Sequence, residues 1–306
     1  MPLKHRHARS LAAAAAVAVA VTACSSSPGG SPSTVSGVTS TSSSGAVAPT
    51  TATGLPKPAH IVVVMEENHS YADIIGDSQA PYLNALASQG ALMTASFAVT
   101  HPSEPNYMAL FGGSTNGLTA DTCPFSAGSA PNLGSELLAS GKTFLGYSES
   151  LPATGSTVCT SPDGEYARKH SPWVNFTNVP ASDSLPFSSF PTDYSTLPAL
   201  SFVIPNLGDD MHNGTIAQGD TWLSKNLSAY ATWAKANNSL LIVTWDEDDF
   251  TETNQIPTII VGQPVKPGRY GEKINHYTVL ATLEEIYGLA PVGGSVGVTG
   301  LSDIWS

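Results

Sequence analysis

The chain has 306 residues, 41% of them hydrophobic, with 12 Lys plus Arg against 24 Asp plus Glu. That length and apolar content suffice for one large domain or two small ones, and a net charge of −12 excludes the positive surface that nucleic-acid binding or a polybasic membrane patch requires. The same charge repels a phosphorylated substrate unless cations offset it locally.

The front end is not expected to belong to the fold. Lys4, His5, Arg6, His7 and Arg9 form a basic start, and Leu11 to Val21 is an apolar run too short to span a membrane stably. It closes on Val21, Thr22, Ala23 and Cys24, a string that resembles the lipobox of bacterial lipoproteins, where the cysteine is lipidated; a conventional cleavable signal peptide is the alternative. Residues 1–23 are therefore expected to be a lipoprotein signal peptide, and Cys24 the lipidation site of an extracytoplasmic protein anchored to the membrane or secreted. Residues 24–58, rich in Ser, Thr, Gly and Pro, bury too little surface to offset their ordering entropy and read as a flexible tether. Removal of the signal leaves nine basic against 24 acidic residues, a net −15. Cys123 and Cys159 then remain as an even pair, for which an oxidising compartment predicts a disulfide; a thiolate metal pair lacks a close CxxC or CxxH spacing.

From residue 59 to 306 strands and helices alternate. His60–Met65 (HIVVVM) is a β-branched apolar run of the kind buried on both faces of a parallel sheet. Pro81–Gln89 reads as a helix ending at Gly90, Ala91–Val99 as extended, and Pro105–Phe111 as a short helix stopped by Gly112 and Gly113. Gly134–Gly141 is a helix and Thr143–Tyr147 a strand, whereas Ser148–Pro198 has little periodicity and reads as long loops. Leu200–Pro205 is a strand, Thr221–Ala236 a helix that Asp220 can cap, Leu240–Trp245 and Thr258–Gly262 strands, and Tyr277–Tyr287 the last helix. The alternation implies an α/β domain with helices on both faces of its sheet.

In such sheets ligands bind beyond the carboxyl ends of the strands. Glu67, Asp210 and Asp246 each lie within a few residues of such an end, from three different strands, and Ser103 in the string HPSEPNY (His101–Tyr107) lies before a helix start, where an oxyanion is favoured. A serine hydroxyl is a weak nucleophile until a base or a cation activates it, and carboxylates, an amide and histidines form a ligand set suited to hard or borderline divalent ions. One or two such ions could neutralise a phosphate and activate Ser103, with Asn106 one helical turn on donating to a phosphoryl oxygen. Arg168, Lys169 and His170 form the one tight basic cluster of the acidic domain and are candidate phosphate-binding residues. His101 could orient Ser103 or simply pack, and Glu66 is the register-shifted alternative to Glu67.

The strings HIVVVMEENHS, HPSEPNY with ALFGG, YARKHSPWVNF, SFVIPNLGDDMHNG, VTWDEDD and HYTVLATLEEIYGL resemble, in order, the bacterial phosphoesterase family that includes acid phosphatases and phosphatidylcholine-cleaving phospholipases C. The resemblance runs from Ala59 to Leu289 and implies an alkaline-phosphatase-like, mostly parallel sheet in a single domain. It implies Ser103, Asn106 and His212 as catalytic residues, His212 as a ligand or the general acid, and Glu67, Asn68, Asp210, Asp246, Glu247 and His276 as ligands of one or two divalent metal ions. It departs from the family at His69, where Arg is common, and at Asp248, Asp249 and Phe250, where Gly-Gly-Phe is common. The expected activity is a serine-dependent acid phosphatase acting on phosphate monoesters, either a phosphorylated small molecule or a phosphoinositide such as phosphatidylinositol 3-phosphate. A phospholipase C or phosphodiesterase is the alternative enzyme. A substrate-binding lipoprotein is the alternative outside enzymes, though it leaves the acidic residues at strand ends unexplained.

Overall fold

Six consecutive buried residues make β1 (Ile61–Glu66) the middle of a sheet, and their side chains divide between two cores. Ile61, Val63 and Met65 enter one layer, Val62 and Val64 the other, as the two-residue period of a strand requires. The computed structural model describes residues 54–306; the expected signal peptide, Cys24 and all but the last residues of the expected tether lie outside the described residues. The remaining elements are α1 (Tyr71–Ile74), α2 (Pro81–Gln89), β2 (Ala91–Phe97), α3 (Ser103–Gly112), α4 (Leu133–Ala139), β3 (Phe144–Ser148), β4 (Ser184–Pro186), β5 (Leu200–Ile204), α5 (Ile216–Ala234), β6 (Leu240–Trp245), β7 (Thr258–Gly262), β8 (Gly268–Asn275) and α6 (His276–Tyr287).

The eight strands form one sheet in the order β4-β3-β5-β1-β6-β7-β2-β8. All pairings are parallel except those of β7, which runs antiparallel to both β6 and β2. Helices α3, α4 and α6 cover one face around Met108, Phe111, Leu137 and Leu280, and α2 and α5 cover the other around Leu83, Leu223, Leu227 and Tyr230. This is the mostly parallel α/β sheet with helices on both faces that the sequence implies. Each fully buried Leu, Ile or Phe contributes roughly 1.5–3 kcal/mol, so the two layers fix which strand ends converge.

The elements differ from expectation in several places. β8 escapes sequence reading because five of its eight residues are exposed, which erases the apolar alternation of a half-buried strand. The segment 148–198 is a chain of single 3-10 turns plus the short β4, and Trp173 within it lies flat on β3 at Gly146, where a Cβ would sit 2.2 Å from the indole. α5 begins five residues earlier than expected, capped by Thr215. Asp220 does cap a helix, but another one: its carboxylate accepts the N–H groups of Tyr82 (3.1 Å) and Leu83 (2.8 Å) at the start of α2, whose own N-cap, Ala80, has no side-chain oxygen to offer.

Among the buried acids away from the strand ends is one on the last helix. Glu284 of α6 accepts the Val292 N–H at 2.8 Å through Oε1 while its Oε2 has no partner. Burial pushes this carboxyl up to about 7, against the hydrogen bonds from Ser295 and Val292. A raised folded-state pKa stabilises the fold fully below the ordinary value of 4.5, and that contribution is lost as pH rises through about 7. Glu284→Gln, which cannot ionise, should therefore spare the protein roughly 1–3 kcal/mol of the stability lost between about pH 4.5 and pH 8. Urea midpoints at the two pH values measure it, and an identical pH dependence in variant and parent would refute it.

Candidate active site

The parallel strands deliver four carboxylates to one edge of the sheet. Glu67 follows β1, Asp246 and Glu247 follow β6, and Asp210 lies in the turn after β5; all four are fully buried. The turns are tied to one another by backbone: Glu67 N–H donates to Asp210 O at 2.9 Å and Asp246 N–H to Glu66 O at 3.0 Å. Asn68, in the left-handed region at φ 53°, turns the chain so that its N–H donates to Asp246 Oδ1 at 3.2 Å. Asn tolerates that conformation better than most residues.

Ser103 is the first residue of α3 rather than a residue before the helix, since α3 begins two residues earlier than the sequence suggests. It is 2% exposed, and its Oγ donates to Glu67 Oε2 at 2.9 Å and lies 3.1 Å from Glu247 Oε1. Tyr107, four residues on and hence on the same helix face, donates its hydroxyl to Glu67 Oε1 and stacks on His170 at 4.9 Å between ring centroids. His170 stands between two acids, with Nε2 3.0 Å from Glu67 Oε1 and Nδ1 3.3 Å from Asp210 Oδ2.

Electrostatics follow from that placement. Burial pushes the Glu67 carboxyl up, but the His170 charge and hydrogen bond, Lys169 and the Tyr107 hydroxyl outweigh it and hold it at about 2. Burial pushes His170 down, and the Glu67 and Asp210 carboxylates reverse this and raise it to about 9. Asp246, buried and facing Glu67 and Glu247, is raised well above the usual carboxylate range. Glu247 is raised by burial to about 7 despite His101, whose Nδ1 is hydrogen-bonded to Glu247 Oε2.

Several expected site residues are placed differently. Asn106 does not face a phosphoryl position: its Oδ1 accepts from Val99 N (3.1 Å) and Thr100 N (3.0 Å), and its Nδ2 donates to Thr100 O (2.8 Å) and Pro102 O (3.1 Å). With both amide hydrogens spent, it fastens the loop before α3. Arg168 is likewise turned inward, its guanidinium donating to the carbonyls of Thr157, Phe125 and Val174 and to Asn175 Oδ1. Of the basic cluster, Lys169 and His170 reach the carboxylates and Arg168 holds the turn that carries them. His276 donates through Nε2 to Asp246 O at 2.7 Å, and burial lowers its pKa to about 4, leaving Nδ1 as a buried lone pair. Cys123 and Cys159 are joined as a disulfide.

His212 lies with Glu67 and His170 in a group whose ligand atoms are all within 4.8 Å of one another. Its Nε2 is 3.4 Å from Lys169 Nζ and its Nδ1 2.9 Å from Asn213 Oδ1. An ammonium can only donate, so Nε2 accepts and the ring proton sits on Nδ1. That tautomer leaves on Nε2 the lone pair that a metal ligand needs.

Asp121 is a participant that no spacing announces. Its Oδ1 accepts the N–H of Glu104, next to Ser103, at 3.0 Å, and its Oδ2 pairs with Lys169 Nζ at 2.7 Å. One carboxylate thus joins α3 to the lysine beside the acids.

The donor set fits a divalent cation. Buried polar atoms without a hydrogen-bond partner include Asn68 Oδ1, Asp246 Oδ2 and His276 Nδ1, all from residues of this constellation. Buried orphans are rare in native proteins and call for an explanation; oxygen and imidazole donors together suit Mg, Mn, Ca or Zn.

A model of the phosphoesterase family matches residues 77–290, a span that includes Ser103, Asp210, Asp246 and His276 and begins after Glu67. The chain is 60% identical over 256 residues to the phosphatidylinositol-3-phosphatase of Mycobacterium tuberculosis, covering 83% of this chain and 85% of that one. It is 30% identical over 245 residues to an acid phosphatase of Aspergillus fumigatus, covering 74% of this chain but 54% of that one, so it spans about half the length of the fungal relative. Among solved structures, a protein of the alkaline phosphatase superfamily from Vibrio parahaemolyticus shares the fold with a TM-score of 0.54 at 13% identity, over 81% of this chain and 73% of the other.

The inward role of Asn106 has a measurable consequence. Asn106→Ala removes four buried hydrogen bonds and should cost roughly 2–4 kcal/mol of stability, read as a fall in the urea midpoint. A midpoint unchanged from the parent would show that the loop does not depend on this amide.

Proposed function

The chain belongs to the phosphoesterase family, and on that premise we propose that it is an acid phosphatase that hydrolyses phosphate monoesters with Ser103 as nucleophile, phosphatidylinositol 3-phosphate among its substrates. The observation that carries this reading is the placement of Ser103 Oγ on two buried carboxylates, Glu67 and Glu247, at the first residue of a ten-residue helix. The identity to the mycobacterial phosphatidylinositol-3-phosphatase supports the substrate class.

A carboxylate accepting the Oγ proton leaves an alkoxide to attack phosphorus, and the positive end of α3 favours the charge that develops there. The P–O bond to the alcohol breaks as the Oγ–P bond forms, and the proton taken from Ser103 is the one the departing alkoxide needs. Lys169, held by Asp121, supplies a cationic donor to the non-bridging oxygens. Water then hydrolyses the phosphoserine to free phosphate. A divalent cation would be held by Glu67, by His212 and, once it gives up its extra proton, by His170, with Asp210, Asp246, Asn68, Glu247 and His276 around them, and when bound it would offset the phosphate charge and lower the serine pKa. Cys24 as a lipid anchor and an extracytoplasmic location belong to the same proposal, which the Cys123–Cys159 disulfide supports.

Ser103→Ala should abolish release of phosphate from p-nitrophenyl phosphate while the thermal midpoint and the metal content by elemental analysis stay close to the parent; full turnover in that variant sinks the serine reading. Running a phosphodiester beside the monoester separates this activity from a phospholipase C. Asp121→Asn removes the ion pair but keeps the shape, and KM should rise about 3- to 10-fold. An unaltered KM would mean that Lys169 needs no holding.

A further inference from the structure

A groove of about 690 Å³ lies along the same edge of the sheet, formed by residues 97–101 after β2, the turn 251–254 and the end of β8 with the start of α6. β2 and β8 run parallel to each other and, with the antiparallel β7 between β2 and β6, in the same direction as the strands that carry the site, so the groove opens beyond the same carboxyl ends. Two of its walls run directly into the site. His101 lines the groove and is hydrogen-bonded to Glu247, which in turn lies 3.1 Å from Ser103 Oγ. Asn275 lines it too and caps α6, whose first residue, His276, bonds to Asp246 O. The groove is thus two side-chain contacts from the nucleophile.

Its lining mixes apolar residues with polar ones: Thr100, Thr251, Thr253 and Thr278 bring hydroxyls, Glu252 a carboxylate and Lys273 an ammonium. Lys273 sits over the Phe97 ring at 5.1 Å, and among the described residues no carboxylate lies within 4.0 Å of its Nζ. In a domain with eight basic residues against 24 acidic ones, a cation in a groove without an ion-pair partner is a place for an anion from outside. The volume is in the range of small-molecule sites.

We propose that this groove seats the alcohol half of the substrate, and that it selects a hydroxylated ring carrying a second, uncleaved anionic group that meets Lys273 while ring hydroxyls donate to Glu252. The proposal rests on the phosphomonoesterase reading of the Ser103 site and adds to it which alcohols that site accepts. The shared chemistry is a polyol with two anionic groups, whether a lipid headgroup or a free sugar phosphate.

The test is steady-state kinetics of Lys273→Ala and Lys273→Glu on three substrates: p-nitrophenyl phosphate, which has one anionic group; soluble glycerophosphoinositol 3-phosphate, which has the ring and a second anion but no lipid; and phosphatidylinositol 3-phosphate in phosphatidylcholine vesicles. KM for both inositol substrates should rise about 3- to 10-fold in Lys273→Ala and further in Lys273→Glu. The kcat values and all kinetics on p-nitrophenyl phosphate should stay within twofold, and the difference should shrink at high salt. An equal loss on all three substrates, or no loss on any, overturns the proposal. A loss confined to vesicles also overturns it, because Lys273 would then be meeting a lipid surface rather than the ring. If the parent protein turns over no monoester at all, the phosphomonoesterase reading fails first and takes the groove assignment with it.

Discussion

Everything at the carboxyl edge of the sheet answers one constraint, the mutual repulsion of buried carboxylates. Glu67, Asp210, Asp246 and Glu247 converge where no water can screen them, and burying even one unpaired charge is costly. The protein meets the cost unevenly. Glu67 is kept ionised by His170, while Asp246 is driven toward its neutral form. That asymmetry makes Glu67 the acid best able to hold a cation and to receive a hydrogen bond from Ser103. A strand order that spread β5, β1 and β6 apart would remove the repulsion and with it the reason for His170 to be charged.

Much of what surrounds the site exists to hold that arrangement under load. The aperiodic segment after β3 contributes the turn with Lys169 and His170, and Arg168 pins the turn by four donated hydrogen bonds to chain segments on both sides of the disulfide. Asp121, two residues from Cys123, carries the same scaffold across to α3. Asn106 does the equivalent work for the loop that bears His101. The basic cluster and the motif amide therefore serve the site mainly through geometry, with only Lys169 and His170 reaching its charges.

The legible part of the chain was the part governed by local rules. Continuous apolar runs marked β1 and β6, glycine marked the end of α3, and the position of acids just past strand ends brought Glu67, Asp210 and Asp246 to one place. Long-range pairing left no such signature. Asp220 looked like a cap and is one, yet nothing in its neighbourhood says that its partner is a helix 137 residues away. β8 hides because its residues face solvent, and Asp121 because an exposed loop acid has no periodicity to betray it. Tyr107 was within reach: four residues after Ser103 on a helix, it had to share the serine's face.

The closeness of Asp210 and His212 poses a last geometric problem. Two candidate site residues separated by one position need the chain to reverse between them, and Met211 does so in the left-handed region at φ 78°. For a bulky residue that conformation costs on the order of 1–3 kcal/mol. Met211 recovers it by burial: it is 2% exposed in the layer with Trp222 and Leu223, and full burial of such a side chain contributes roughly 1.5–3 kcal/mol. The recovery depends on Gly219 of α5, since a Cβ there would lie 2.6 Å from Met211 Cγ and Cε. The strain is thus nearly cancelled within one residue. In return, Asp210 Oδ1 receives the His212 N–H at 2.8 Å while Asp210 Oδ2 faces His170, so the turn that brings His212 beside Glu67 and His170 is locked by the acid it adjoins.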